Sequence, residues 1–262
     1  MRYELKYLVP NEKLTELREA LMPLLDYDKF AGSRPQKEYT IRSVYYDSIK
    51  MEAYHEKDDG LKIRKKLRIR TYNELTDESI AFLEIKRKNE QFISKNRALF
   101  RFSDLDELLE TGDIENYILK KDPESIGDAS RFLFHMNRSF MRPLICIIYE
   151  REAFMSKFDS NIRITFDKNV RTSSFRTFVD LFDESRVKEV IRGKFVLELK
   201  FSKTFSPALQ RIISRFNLTR MAVSKYVIGI EADPAFYLHT TNKRLLFSNP
   251  IWTDNNYQKE AI

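Results

Sequence analysis

Three times the chain writes Glu, one apolar residue, then Lys inside an apolar run: Glu4-Leu5-Lys6, Glu84-Ile85-Lys86 and Glu198-Leu199-Lys200. Successive side chains of a β-strand point to opposite faces, so each Glu shares a face with its Lys. The apolar residue between them points the other way. A face carrying many cations and a few carboxylates can hold a metal-bound polyanion: cations meet phosphate oxygens, and carboxylates meet the metal. Oxygen ligands without His or Cys suit Mn2+ or Mg2+, which keep several waters and bridge to phosphate. The same alternation adds Arg68, Arg70, Lys95, Arg97, Arg151, Arg163 and Lys225 to Lys6, Lys86 and Lys200, beside carboxylates Glu4, Glu84 and Glu198.

Taken one strand at a time, these charges read as the solvated side of an antiparallel sheet. Its ion pairs would be worth under about 1 kcal/mol each. As a set they read differently, because bulky apolar residues flank the charges and cations outnumber carboxylates. Such a face repels itself unless an anion sits on it. Nucleic acid suits the charge, but carboxylates on the same face would repel a phosphodiester backbone. A nucleotide or polyphosphate with its metal is the better match, so no nucleic-acid partner is expected.

Bulk composition narrows the choices further. The 262 residues carry a net charge of +7, and Lys62, Arg64, Lys65, Lys66, Arg68 and Arg70 crowd into one short stretch. Six glycines form no phosphate-cradling loop motif, so side chains must bind any phosphate. Three scattered histidines show no ligand spacing, which argues against a zinc site. The single Cys146 sits in an apolar run and reads as a buried thiol in a reducing cytoplasm. No apolar run is long enough to span a membrane, and the N-terminus lacks a secretory signal.

Strands must position this face. Alternation predicts them over residues 2–9, 39–47, 61–72, 80–88, 93–102, 144–155, 161–167, 194–201 and 223–231, the last carrying Lys225 and Tyr226. Helices are expected after Pro10, with Leu14, Leu17 and Leu21, and from Ser103, with Leu105 and Leu108. Two more cover 124–138 and the segment after Ser206-Pro207, with Leu209, Ile213 and Phe216. Trp252 reads as core and His55 as solvent-facing. The pattern gives one α+β domain on a mainly antiparallel sheet. It does not separate a barrel from a sandwich; only in a barrel do the charged faces converge on one lumen.

The residues Glu4-x-Lys6-Tyr7, Ser43-Val-Tyr-Tyr-Asp47, Lys66-x-Arg68-x-Arg70-x-Tyr72, Leu83-Glu84-x-Lys86, Lys95-x-Arg97, Tyr149-x-Arg151-x-Ala-Phe154, Arg163-x-Thr-x-Asp167, Glu198-x-Lys200 and Ser224-Lys225-Tyr226 follow in order. This series resembles the polyphosphate polymerase domain of the vacuolar transporter chaperone (VTC) family, within the triphosphate tunnel metalloenzymes of the CYTH-like superfamily. The resemblance implies an eight-stranded antiparallel closed β-barrel, a triphosphate tunnel with helices packed outside, over residues 1–232. Residues 233–262 would form a tail. It implies phosphate ligands at Lys6, Arg68, Arg70, Lys86, Lys95, Arg97, Tyr149, Arg151, Arg163, Lys200, Ser224 and Lys225. Lys200, Arg70, Lys86 and Arg68 would serve the catalytic step, and Glu198 would hold the metal, with Glu4 and Glu84 as further carboxylates.

The implied activity is metal-dependent transfer of the ATP γ-phosphoryl group to a growing inorganic polyphosphate. A metal-dependent triphosphatase and a non-catalytic polyphosphate-binding tunnel are the alternatives. Two departures stand out. The superfamily opens with Glu-x-Glu-x-Lys where this chain has Arg2-x-Glu4-x-Lys6, one metal carboxylate fewer. The SPX sensor domain and membrane helices of fungal relatives have no counterpart in these residues, so a vacuolar location is not carried over.

Overall fold

The computed structural model describes residues 3–90, 92–202, 206–236 and 240. Its strands are β1 (Tyr3–Pro10), β2 (Leu25–Tyr27), β3 (Tyr39–Asp47), β4 (Ile63–Tyr72), β5 (Ile80–Asn89), β6 (Phe92–Arg101), β7 (Arg142–Ser156), β8 (Arg163–Ser174), β9 (Lys188–Glu189) and β10 (Lys194–Phe201). They form one antiparallel sheet ordered β1-β10-β8-β7-β3-β4-β5-β6, with short β2 on β7 and β9 on β8.

Period-two alternation decides which face is core. Phe195, Leu197, Leu199 and Phe201 of β10 join Tyr7 and Val9 of β1 in one buried cluster. Helices Leu14–Leu21 and Pro207–Arg215 cover it with Leu17, Leu21, Leu209 and Ile213. On the other half, Leu67, Ile69, Leu83, Ile85, Ala98 and Phe100 of β4–β6 pack beneath helices Leu105–Thr111 and Pro123–Arg138. Each such side chain contributes roughly 1.5–3 kcal/mol by leaving water. A one-residue slip would send lysines into this core, so the register is pinned. The opposite face of the same strands carries the charges.

Three expectations need correction. The closed barrel is not closed by hydrogen bonds: among the described residues no ladder joins β1 to β6. Each edge is instead bridged at one point by another segment. The β1 edge bridges at Tyr7 to Arg220, and Met221 N–H donates to the Lys6 carbonyl at 2.8 Å. The β6 edge bridges at Phe100 to Ile118, and Leu119 N–H donates to the Leu99 carbonyl at 2.9 Å. Side chains still span the gap, with Lys86 Nζ of β5 3.1 Å from Glu4 Oε2 of β1.

The second correction is residues 223–231, expected as a strand, which form helix Lys225–Ala232. Its Tyr-Val-Ile-Gly-Ile run is rich in strand formers, yet it is buried on nearly every side, which erases helical amphipathicity. Gly229 permits the close packing: a Cβ there would lie 2.5 Å from Ile147 Cδ1. This helix lies against the inner face with Ile145, Ile147 and Tyr45, so the helices are not all outside. Third, β8 runs on to Ser174. Its polar second half hides a strand whose Arg171 is bonded to Glu150 of β7.

Cys146 is fully buried and unbridged, and burial pushes its thiol up to about 12. His55 is exposed. Arg2, Trp252 and most of the expected tail lie outside the described residues. Among the described residues no helix is long and apolar enough to cross a membrane.

Candidate functional site

The curled sheet encloses a cavity of about 980 Å³ to which β1, β4, β5, β7 and β10 all send side chains. Lys6, Arg68, Arg70, Lys86, Tyr149, Arg151, Lys200, Ser224 and Lys225 line it, as do Glu4 and Glu198. Thirteen Lys and Arg side chains face only three carboxylates there, Glu90 being the third. Lys95, Arg97, Arg163 and Glu84 are not among its lining residues.

Glu84 has no exposed surface and is surrounded by cations. Arg68 Nε donates to Glu84 Oε2 at 2.8 Å, Arg97 Nε to Oε1 at 2.7 Å, and Lys95 Nζ to Oε1 at 3.3 Å. Lys95 and Arg97 are thereby drawn to this carboxylate. Arg163 Nη2 turns to Asp28 Oδ2 at 2.7 Å and the Tyr39 hydroxyl at 3.1 Å.

Glu4 and Glu198 share one cation. Lys6 Nζ lies 3.4 Å from Glu4 Oε1 and 3.3 Å from Glu198 Oε1. The register explains it, since β1 and β10 pair Lys6 with Glu198 and Glu4 with Lys200. Glu198 also meets Lys200 at 3.0 Å, and Lys225 and Arg151 at 3.6 Å each. Burial opposes ionisation of Glu4, but Lys6, Lys86 and Lys200 outweigh it and hold the carboxyl at about 2. Glu198 is likewise held well below the carboxylate range by Lys200, Lys6, Lys225 and Arg151, against its burial.

Arg70 differs from its neighbours. It is 6% exposed, and its recorded partners are the Ser43 hydroxyl at 3.1 Å and the Tyr149 hydroxyl at 3.4 Å. Among the described residues no carboxylate pairs with it. Glu84 acts on it without touching it, so a buried guanidinium bonded directly only to neutral oxygens keeps donors to offer an anion.

Two cavity residues, Lys66 and Tyr45, and the fully buried Asp167, which does not line it, were not singled out as site residues from sequence. Lys66 shares the face of Arg68 and Arg70, donates to Ser224 Oγ at 3.2 Å and lies 4.6 Å over the Tyr226 ring. The period-two count that found its neighbours includes it. Asp167 holds Arg151 through 2.6 and 2.7 Å bonds and also binds Lys225 Nζ at 2.5 Å. Tyr45 accepts from Arg68 Nη1 at 2.9 Å. Lys225 was legible as a cation, but its place at the start of a lumen-side helix was not.

The crowding sets a pH dependence. Burial, with help from Lys6 and Lys200, outweighs Glu4 and lowers Lys86 to about 8. Burial, with Arg97 and Arg68, outweighs Glu84 and brings Lys95 to about 8 as well. A bound polyanion favours the protonated amine, so binding takes up protons, and affinity falls as pH rises above about 8. Calorimetry of tripolyphosphate binding at alkaline pH, in buffers of different ionisation enthalpy, reads this uptake. The Lys86→Met variant should take up fewer protons; equal uptake would contradict the assignment.

No curated protein matches the chain. The PH1819 protein from Pyrococcus horikoshii OT3 is similar in structure, at 13% identity and TM-score 0.47, over 89% of this chain and 100% of that one. A Bacillus halodurans protein provisionally named an adenylate cyclase is similar at 14% identity and TM-score 0.48, over 86% and 94%. The sequence model of the VTC domain matches residues 1–232, and a chain with this basic lumen and that match belongs to the VTC domain family.

Proposed function

We propose that this protein is a polyphosphate polymerase that transfers the γ-phosphoryl group of ATP to the end of a growing inorganic polyphosphate chain. The observation that carries the reading is Arg70, a buried guanidinium in direct contact with no carboxylate among the described residues, lining a cavity that also receives lysines from opposite ends of the sheet. Family membership supports the same substrate class.

The chemistry matches the side chains present. A terminal phosphate oxygen is already anionic near neutral pH, so no side-chain base has to create the nucleophile. That oxygen forms a bond to the γ-phosphorus while the bond to the β–γ bridging oxygen breaks, and ADP leaves with the electron pair. What remains for the protein is alignment and neutralisation of charge. Arg70 and Arg68 clamp phosphate oxygens through paired N–H donors, and Lys86 and Lys200 add point charges. Tyr149 and Ser43 hold the Arg70 plane.

Glu4 and Glu198 fit a divalent cation of the Mn2+ or Mg2+ type. Both are ionised oxygen donors, and the space between them already accepts the Lys6 ammonium. Among the described residues no cluster of three metal-ligating side chains exists, so substrate oxygens would complete the shell. Held by Glu4 and Glu198, such a cation would supply Lewis-acid charge that offsets the negative charge developing on the leaving ADP.

Product analysis tests the proposal. Purified protein with ATP, Mn2+ and a short polyphosphate primer should give a ladder of lengthening chains and stoichiometric ADP. Orthophosphate alone would mean a triphosphatase. Tight polyphosphate binding without ATP consumption would mean a binding tunnel.

A further inference from the structure

Outside the cavity, on the far face of the same strands, a second group of cations meets an imidazole. Lys65 of β4 and Arg87 of β5 alternate with Arg64, Lys66, Lys86 and Lys88, which line the cavity, so they point to the opposite wall. The register sets Lys65 directly opposite Arg87. Helix Pro123–Arg138 lays His135 between the two. Lys65 Nζ lies 3.2 Å from His135 Nδ1, and Arg87 Nη2 lies 3.3 Å from its Nε2. Arg138 follows on the same helix, and Asn96 of β6 accepts from Arg87 Nη1.

This group is unfavourable in the free protein on two counts. Like charges placed directly opposite each other destabilise a sheet. A neutral imidazole has one N–H and one bare nitrogen, yet both of these ring nitrogens meet cationic donors. Whichever tautomer forms, one contact sets a donor against a donor. Protonation gives no relief: burial, with Lys65, Arg87 and Arg138, holds His135 below its ordinary range. Among the described residues no carboxylate pairs with Lys65, Arg87 or Arg138. Glu56, on helix Glu52–Asp58, accepts from the Lys65 backbone N–H and acts on its amine without pairing with it. Asp128 is taken by Asn96, the Arg97 N–H and Arg131. Nor do the cations cap the helix end, since the carbonyls of His135, Met136 and Asn137 already accept from Ser139, Met141 and Phe140.

We propose that Lys65, Arg87 and His135 form a site for a single dianionic phosphate group on the outer wall of the sheet, separate from the cavity. Phosphate oxygens would accept from the ammonium, the guanidinium and the imidazole N–H together, replacing a donor–donor contact by charge-assisted bonds. Two sources carry such a group: free inorganic phosphate, and the headgroup of an anionic lipid such as phosphatidic acid. The flanking Phe134, its ring 5.5 Å from His135, is 54% exposed, and Phe140 just past the helix is 85% exposed. Aromatic side chains beside cations suit the headgroup boundary of a bilayer, so Phe140 separates the two sources. The site stands on this geometry and not on the polymerase reading.

His135 gives the test a local readout, because the chain has three histidines and the His135→Gln spectrum assigns their ring signals. In the full chain without ATP, inorganic phosphate should raise the His135 pKa, read by NMR of its ring nitrogens, by about one pH unit. The double variant Lys65→Gln, Arg87→Gln should lose most of that rise. In a second arm the protein is floated with phosphatidylcholine vesicles, plain or carrying phosphatidic acid. Flotation on the acidic vesicles that the double variant loses identifies a lipid headgroup as the source. Phe140→Ser should then weaken flotation by about threefold or more and leave the phosphate response unchanged. A phosphate response without flotation identifies free phosphate; either result supports the site. Silence of His135 together with no flotation would overturn it. So would responses that the double variant keeps, which would place the anion at the cavity mouth instead. If the double variant does not melt cooperatively, Lys65→Gln alone carries the comparison.

Discussion

Replacing Arg70 with Ala should lower turnover by about 10³-fold or more while moving the melting temperature by only a few degrees. The large effect on rate follows from position. Arg70 lines the cavity and bonds directly only to Ser43 and Tyr149, so although Glu84 acts on its charge, its N–H donors have no carboxylate and are left for an anion. Arginines that neutralise a transferring phosphoryl group are worth roughly 10³–10⁵ in rate. The small effect on stability has two opposed causes. Truncation leaves a void, which is unfavourable, but it also removes a buried charge that touches no carboxylate and is repelled by Arg68. Single-turnover kinetics with a thermal melt read both quantities. A rate within tenfold of wild type would remove Arg70 from the chemistry.

Asp167→Asn should do the reverse, costing about 3–5 kcal/mol of stability. Asp167 is fully buried and is the bidentate partner of Arg151 as well as an ion-pair partner of Lys225. Asn keeps the shape and removes the charge, leaving two buried cations to Glu198, which lies 3.6 Å from each. Breaking a buried pair from one side carries a penalty of this size. For a chain of this length it corresponds to a drop in melting temperature of about 10 °C. A shift of only a degree or two would contradict the role assigned to Asp167. Acid should act in the same direction. Burial opposes it, but Arg151 and Lys225 depress the Asp167 carboxyl, and Glu4 lies at about 2. A carboxylate whose folded pKa is depressed contributes in full above its unfolded pKa. That contribution is lost as pH falls through the folded value, here from about pH 4.5 toward pH 2.

Much of the scaffold was legible because the sheet has one apolar and one charged face. Residues such as Leu197, Leu199, Leu83 and Ile85 mark the core side by simple alternation, and their neighbours Glu198, Lys200, Glu84 and Lys86 mark the other. Long helices with one apolar stripe, such as Pro123–Arg138, were readable for the same reason. Three things were not. Helix Lys225–Ala232 is buried all round, so no period betrays it. The gap between β1 and β6, whose edges are bridged by Arg220 and Ile118, is set by contacts between segments distant in sequence. And alternation places Glu84 on the charged face without revealing that Arg68, Arg97 and Lys95 would close around it. Local pattern reports the face a residue is on; the company it keeps there comes from strands distant in sequence.

The central claim is that a polyphosphate group seats inside the lumen against side chains from both ends of the sheet. A crystal structure of the protein with Mn2+ and tripolyphosphate tests it most directly. The expected result is a phosphate chain within hydrogen-bond distance of Arg70, Lys86 and Lys200, with Mn2+ anomalous signal beside Glu198. Phosphate density confined to the outer surface, with an empty lumen and Lys6 still joined to Glu4 and Glu198, would contradict the account.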